Sequence, residues 1–552
     1  MPQPTKSPPA DFAPDPSPGA RRKRRLAAVA IAAVSVGLVA VWLSLLYSLS
    51  WHLFIGNSDD ANALLAGHAL LHGNLLLRHW RMPTDNYWSI DLPWYGLFAS
   101  LIGLGASVLH AVPTLIAAGV AAVSTGAALA PFGAPRRWAG ALVTFALLGL
   151  PTPLLGTFLL QGPMHIGTVL LCLASFLLLT KGFGQRWWLA VALLGAAVLG
   201  DPLAVALGAG PVAGAAIVSG LTGRSYKLAL PGVTAALTSV AAAIAGGQLL
   251  RSLGGFTTAP RVPLSPSANW ITNVRAIPGR LSWLLGASPH APMPHVWALF
   301  WVLHAVGAAT IVIGVAAASI ALVLSATRIR NDGTRRVPTP WIDNVLAVGF
   351  WFGLLVFIVF TLPRADINST RYLVPSVVYG AILGGRLVAR HFALSSGRAS
   401  LVMVTLLAAL TFGSYILVSA AIVRSADVAN SAQPLARWLK ASRLDVGFGP
   451  YWDASIVTVV SHGDIKVRPV IVANGRLHGL AYFASSEWFR AGHHERSFLV
   501  YEPAAPWGGV NDSTAIQTFG LPSSIIDRDR YRVLIWDKDV GSLVGQATDL
   551  PH

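Results

Sequence analysis

Gly56-Asn57-Ser58-Asp59-Asp60-Ala61-Asn62-Ala63-Leu64-Leu65-Ala66-Gly67 is the stretch around which the rest of the chain is organised. It follows the first apolar run directly, so two adjacent carboxylates stand where the chain leaves a bilayer. Acids are costly at such a surface, and each raises the cost of ionising the other. The following pattern of Ala61, Leu64, Leu65, His68 and Leu71 predicts an apolar-rich helix. Two uses of the acid pair are open. Ser58 or Asp59 would serve as the helix N-cap, with acids favoured in the first turn; or Asp59 or Asp60 is a catalytic centre. A cap needs one such residue, and here are two.

Composition sets the class. The 552 residues are 54% hydrophobic and 11% charged, and mean hydropathy is +0.59. A soluble chain carries about 25% charged residues. Repeated apolar runs long enough for roughly 30 Å of hydrocarbon make this a multi-pass membrane protein. A net charge of +17 would point to nucleic acid in a soluble protein. Here the basic residues cluster in short loops between apolar runs, which reads as positive-inside orientation, so no nucleic-acid partner is expected. The single cysteine, Cys172, can form no intrachain disulfide and reads as a small buried apolar residue.

Outward from the acid pair, residues 1–25 read as a disordered, basic cytoplasmic tail ending in Arg21-Arg22-Lys23-Arg24-Arg25. The apolar run from Leu26 to about Ser48 is too long for a signal peptide and lacks a cleavage site, so it is an uncleaved first span. Residues 49–111 form a first outer loop, with Trp80, Tyr87, Trp88, Trp94 and Tyr95 at headgroup level. Short interfacial helices are expected there, the apolar piece Leu92–Leu109 among them. Further runs at about 111–130, 139–159, 163–180, 187–200, 203–220, 228–249, 294–324, 342–362, 372–389 and 401–423 bring the count to eleven crossings. Nearly all basic clusters then fall on one side: Arg136 and Arg137, Lys181 and Arg186, Arg224 and Lys227, Arg328 to Arg336, and Arg386 to Arg398. The N-terminus is expected in the cytoplasm and the C-terminal segment outside, at the cell membrane. From residue 424 to 552 the composition changes. Ile456–Val460, Val467–Val472 and Tyr531–Trp536 look like strands of a small extracytoplasmic α+β domain. The predicted architecture is therefore an all-α multi-pass bundle, 26–423, with interfacial helices and that α+β domain.

An acidic pair after the first span, then Ala61-x-x-Leu64-x-x-Gly67 and Asp91-Leu92-Pro93-Trp94-Tyr95, resembles the first outer loop of the multi-spanning class C glycosyltransferases. These polyprenyl-phosphate-sugar enzymes include the protein O-mannosyltransferases and the lipid A aminoarabinose transferase. The turns Gln161-Gly162-Pro163-Met164-His165 and Gly200-Asp201-Pro202, and the opening Ser369-Thr370-Arg371-Tyr372-Leu373-Val374-Pro375 of a late span, also fit that family. The resemblance implies transfer of a sugar from a polyprenyl-phosphate donor to a glycan, lipid or protein acceptor, with inversion. It implies a first-loop carboxylate as general base, carried to Asp59 and Asp60, and a phosphate contact at Arg371, with Tyr372 beside it and Arg78 or Arg81 joining. A cation suits a leaving phosphate, and the planar guanidinium donates two hydrogen bonds to it. Arg371 otherwise reads as a snorkelling anchor.

The remaining polar residues leave alternatives. His165 is a substrate or metal contact or an imidazole bonded inside a span; Asp201 lines a substrate pocket or ends a helix. The family's acid near the second outer turn is replaced here by Gln161 and His165, so a divalent metal is possible but not required by the pattern. His68, His72 and His79 lack an accompanying Glu, which argues against zinc. In the outer domain Tyr451-Trp452-Asp453 and His493-His494-Glu495 are candidate carbohydrate contacts. No Walker A, dinucleotide or nucleophile-elbow motif occurs in a suitable context. A flippase or transporter for a lipid-linked substrate, or a non-catalytic scaffold, are the competing readings. The former calls for inverted repeats and mid-span charges; the latter leaves the acid pair as a cap.

Overall fold

The computed structural model describes residues 18–129, 138–181, 183–222, 226–259, 264–289, 298–327, 340–360, 367–394, 398–425, 431–489 and 494–548. The basic clusters at 136–137 and 328–336, together with Arg224 and His493, lie outside the described residues. Helix α1, Pro18–Leu53, takes in the basic run that the sequence reading assigned to a disordered tail. Next come α2 (Ser58–Leu71), the short strand β1 (Trp80–Met82), α3 (Leu92–Ile102) and α4 (Ala106–Leu129). Helices α5 (Trp138–Gly149) and α6 (Pro153–Leu160) meet at 77°, because Pro151 and Pro153 forbid a continuous helix through Thr152. They lead to α7 (Ile166–Leu178), α8 (Gln185–Gly200), a π-turn at Val205–Ala209, α9 (Gly210–Thr222) and α10 (Tyr226–Ser252). The strand β2 (Thr257–Thr258) precedes α11 (Trp270–Leu284), α12 (Ala298–Thr327) and α13 (Trp341–Phe360). A 3-10 turn, Ile367–Leu373, opens α14 (Val374–Leu394), and α15 (Arg398–Val423) closes the bundle.

Seven of these helices are long and apolar enough to cross a membrane: α1, α4, α10, α12, α13, α14 with its 3-10 lead-in, and α15. The bent α5–α6 pair makes an eighth if it is one span. The sequence-based crossings fall on these and on the shorter apolar helices α7, α8 and α9. Leu92–Leu109 is not one helix: Gly103, at φ 83°, separates α3 from α4. At one end of the bundle Asp343 of α13 accepts hydrogen bonds from Arg386 and Arg390 of α14. Arg386 also donates to the carbonyl of Ala127 in α4, at 2.9 Å, so three helices are tied by one buried guanidinium.

The C-terminal domain comprises α16 (Ala432–Ala441), β3 (Val446–Gly449), α17 (Tyr451–Val460), β4 (Lys466–Ala473), β5 (Arg476–Leu480), β6 (Ala484–Ser485) and β7 (Ser497–Tyr501). It ends with α18 (Asp512–Phe519), β8 (Ser524–Arg528), β9 (Tyr531–Trp536) and β10 (Gly545–Thr548). Its seven-stranded sheet has the order β10-β5-β4-β3-β7-β9-β8. Two predicted strands are present as β4 and β9. The third, Ile456–Val460, is helical: it belongs to α17, in which every residue but Trp452 is buried. A β-branched run favours a strand only where it meets a pleated surface. Here it lies between β4 and α2, and Pro450 starts it as a helix.

Two contacts fix this domain to the bundle's outer elements. Ala454, Ile456 and Val457 of α17 share one apolar core with Ala61, Ala63 and Leu64 of α2. In addition, β1 pairs in parallel with β2 (Arg81 opposite Thr257) and antiparallel with β6 (Arg81 opposite Ala484). One small sheet therefore joins the first outer loop, the 251–292 loop and the C-terminal domain.

Candidate active site

The acid pair divides at the first turn of α2. Neither Ser58 nor Asp59 is the N-cap; Asn57 is, its Oδ1 accepting from the backbone N–H of Asp59 (2.8 Å) and Asp60 (3.2 Å). Asp60 completes the capping box by accepting from Asn57 N at 3.1 Å. Its side chain is fully buried and presses against Gly162, where any Cβ would collide with Asp60 Oδ1. Burial above all pushes the Asp60 carboxyl up to about 8. Asp59 points the other way. It is partly exposed, accepts from the Tyr451 hydroxyl of α17, and lies in the fields of Asp85 and Arg371. Burial raises its pKa, while the Tyr451 hydrogen bond opposes that rise.

Around Asp59 the outer turns converge. Arg371, at the end of the 3-10 turn, stands over the Tyr372 ring at 5.1 Å and donates to its hydroxyl at 3.3 Å. The His165 ring lies 5.8 Å from that of Tyr372. Its Nδ1–H donates to Asp201 Oδ2 at 2.8 Å, and Thr168 donates to the same oxygen at 2.7 Å. Burial disfavours charge on both partners. The Asp201 charge and hydrogen bond nevertheless hold His165 above its ordinary value, and His165, Thr168 and the Leu203 N–H hold Asp201 below its own. This is a buried ion pair. Tyr87 bridges to it, donating to Asp85 Oδ2 at 2.9 Å with its oxygen 3.4 Å from His165 Nδ1. Tyr87 and His165 both hold left-handed backbone, at φ 52° and 66°, which costs non-glycine residues about 1–3 kcal/mol each. A left-handed His165 lets α7 begin immediately after the turn, with Gly167 against the Asp91 carboxylate.

The structure thus brings Asp59, His165, Asp201, Arg371 and Tyr372 into one cluster. It does not bring in the other predicted basic residues. Arg78 is exposed and reaches the carbonyl of Leu253 at 3.5 Å, held by its own loop through Asn74. Arg81 sits on β1 and lines a separate cleft of about 270 Å³ with His79, Trp80, Thr257 and Phe489. Both follow the strand pairing of β1, which turns this stretch toward the 251–292 loop. Sequence reasoning did not single out Asp85 as a site residue, nor Tyr482, whose hydroxyl lies in the fields of Asp59, Asp85 and Arg371. The one signal for Asp85 was its place among aromatics. Among the described residues, no group of three or more His, Cys, Asp or Glu is placed to hold a metal ion. His68 and His72 stack at 3.9 Å on the exposed end of α2, and His79 pairs at 3.5 Å with Glu487.

A crystal structure of ArnT from Cupriavidus metallidurans bound to undecaprenyl phosphate superposes with a TM-score of 0.53 at 14% identity, covering 93% of this chain and 99% of that one. The fold is shared with ArnT. The apo structure of the same ArnT gives the same score and identity, over 94% and 99% of the two chains. ArnT is the lipid A aminoarabinose transferase of the class C resemblance, so the suspected architecture is the observed one. No family model and no curated protein matches the chain.

Proposed function

We propose that the chain is a membrane glycosyltransferase that moves a sugar from a polyprenyl-phosphate donor to an acceptor hydroxyl at the outer face of the cell membrane. Asp59 is the general base. As the acceptor oxygen attacks the sugar's anomeric carbon, its proton passes to Asp59; the bond to the phosphate breaks and its electron pair stays on the phosphate oxygen. Arg371 offsets that charge in a site with little water. Tyr372 holds the guanidinium in place, and the His165–Asp201 pair shapes the wall beside it. Attack from the face opposite the phosphate inverts the anomeric carbon.

The observation behind this reading is a partly exposed Asp59 carboxylate, held by the Tyr451 hydroxyl, in the field of an Arg371 guanidinium that is seated on Tyr372 beside His165. The carrier is argued from likeness: ArnT, with the same fold, was solved with undecaprenyl phosphate. Asp60 is not assigned to the chemistry, since its carboxylate is buried in the capping box. The test is transfer from radiolabelled polyprenyl-phosphate sugars by full-length protein in nanodiscs. Asp59→Asn should lose about 10²-fold or more in rate with the protein folded, as removal of a general base does. Unchanged transfer in that variant overturns the assignment.

A further inference from the structure

The C-terminal domain reaches this cluster through one hydroxyl. Tyr451, the first residue of α17, donates its hydroxyl to Asp59 Oδ1 across 392 residues of sequence. Its ring is 2% exposed, packed with Ile471 and Leu480. Two further rings flank it, Tyr482 at 5.7 Å and Trp507 at 5.9 Å, and both are only partly buried. Tyr482 lies near the acids and Arg371, whose charges all act on it.

We propose that Tyr482 and Trp507 form the acceptor site, a platform that stacks a carbohydrate ring so that one sugar hydroxyl replaces the Tyr451 hydroxyl on Asp59. The inference rests on the transferase reading and adds the class of acceptor. Three observations carry it. The group now on the proposed base is an O–H donor of the kind an acceptor must present. An aromatic face is electron-rich and matches the slightly positive C–H face of a pyranose, whereas a peptide backbone needs polar partners that these rings do not supply. Finally, Tyr482 and Trp507 both keep partly exposed surface against Tyr451, so a ring that displaces its hydroxyl meets aromatic carbon.

The experiment is saturation-transfer NMR on full-length protein in nanodiscs. The probes are methyl α-D-mannopyranoside, methyl β-D-galactopyranoside and an uncharged Ser-containing tetrapeptide. At least one pyranoside should receive saturation at its ring C–H protons in the wild type. Tyr482→Ala and Trp507→Ala should each cut that signal about five-fold, and Tyr482→Phe and Trp507→Phe should keep it. Retention with Phe separates stacking from misfolding. The proposal is overturned if neither pyranoside is saturated, if the alanine variants match the wild type, or if only the peptide binds. Because binding is read without turnover, its failure is distinct from failure of the base assignment, which shows as unchanged transfer in Asp59→Asn.

Discussion

Asp59 and Asp60 are chemically the same residue one position apart, and the helix makes them different. At N3 of a capping box Asp60 must fold back on the chain and is buried; at N2 Asp59 is free to face outward. The difference has a signature in pH. A folded Asp60 with a pKa of about 8, against an ordinary 3.8, keeps a proton that the unfolded chain has lost. Asp91, raised to about 7 chiefly by burial, does the same. Unfolding therefore releases protons, and stability should fall as pH rises from about 4 through about 8 and then level off. We expect the apparent Tm in detergent to drop between pH 6 and pH 9, and Asp60→Asn and Asp91→Asn each to flatten that drop. At this scale the sequence was half legible. It marked the acid pair, and it posed cap and catalysis as rivals, whereas the fold puts Asp60 in the cap and leaves Asp59 turned to the Tyr451 hydroxyl. Which acid does which depends on Asn57, whose capping role only the backbone geometry reveals.

Secondary-structure elements were easier to read where periodicity and breakers agreed. The long apolar helices, β4 and β9 follow from their patterns. The bend between α5 and α6 follows from Pro151 and Pro153, although the sequence reading drew one straight crossing there. Where tertiary packing overrode propensity, as in α17, the reading failed: nothing in Ile456–Val460 says that its neighbours are a helix on one side and a strand on the other. Gly67, part of the quoted Ala-x-x-Leu-x-x-Gly pattern, has a reason visible only in the packing. A Cβ there would stand 2.5 Å from the carbonyl oxygen of Leu92, because α2 and α3 cross backbone to backbone at Gly67 and Gly96. Gly67→Ala should therefore force the helices apart. We expect a loss of about 1–3 kcal/mol, read as a lowered Tm, despite alanine's better helix propensity.

For the whole molecule, the class, the apolar segments and the C-terminal α+β domain were legible from composition and charge, because a bilayer allows few solutions. The sheet that joins three distant outer segments was not, since strands of two or three residues leave no pattern. Rigidity at the opposite end rests on Asp343 with Arg386 and Arg390. Removing the acid would strand a buried guanidinium, so Asp343→Asn should cost about 3–5 kcal/mol and lower the yield of monodisperse protein on size exclusion. The contact between Tyr451 and Asp59 has a further consequence, one of timing. Ribosomes add about 5–20 residues per second, so the 392 residues between these side chains separate their synthesis by roughly 20–80 s. During that interval the nascent chain carries Asp59 without its Tyr451 partner. The surroundings of Asp59 are finished only when nearly the last quarter of the polypeptide has been made and folded. An interrupted translation product would thus leave a bundle with every long apolar helix and an unfinished Asp59 environment.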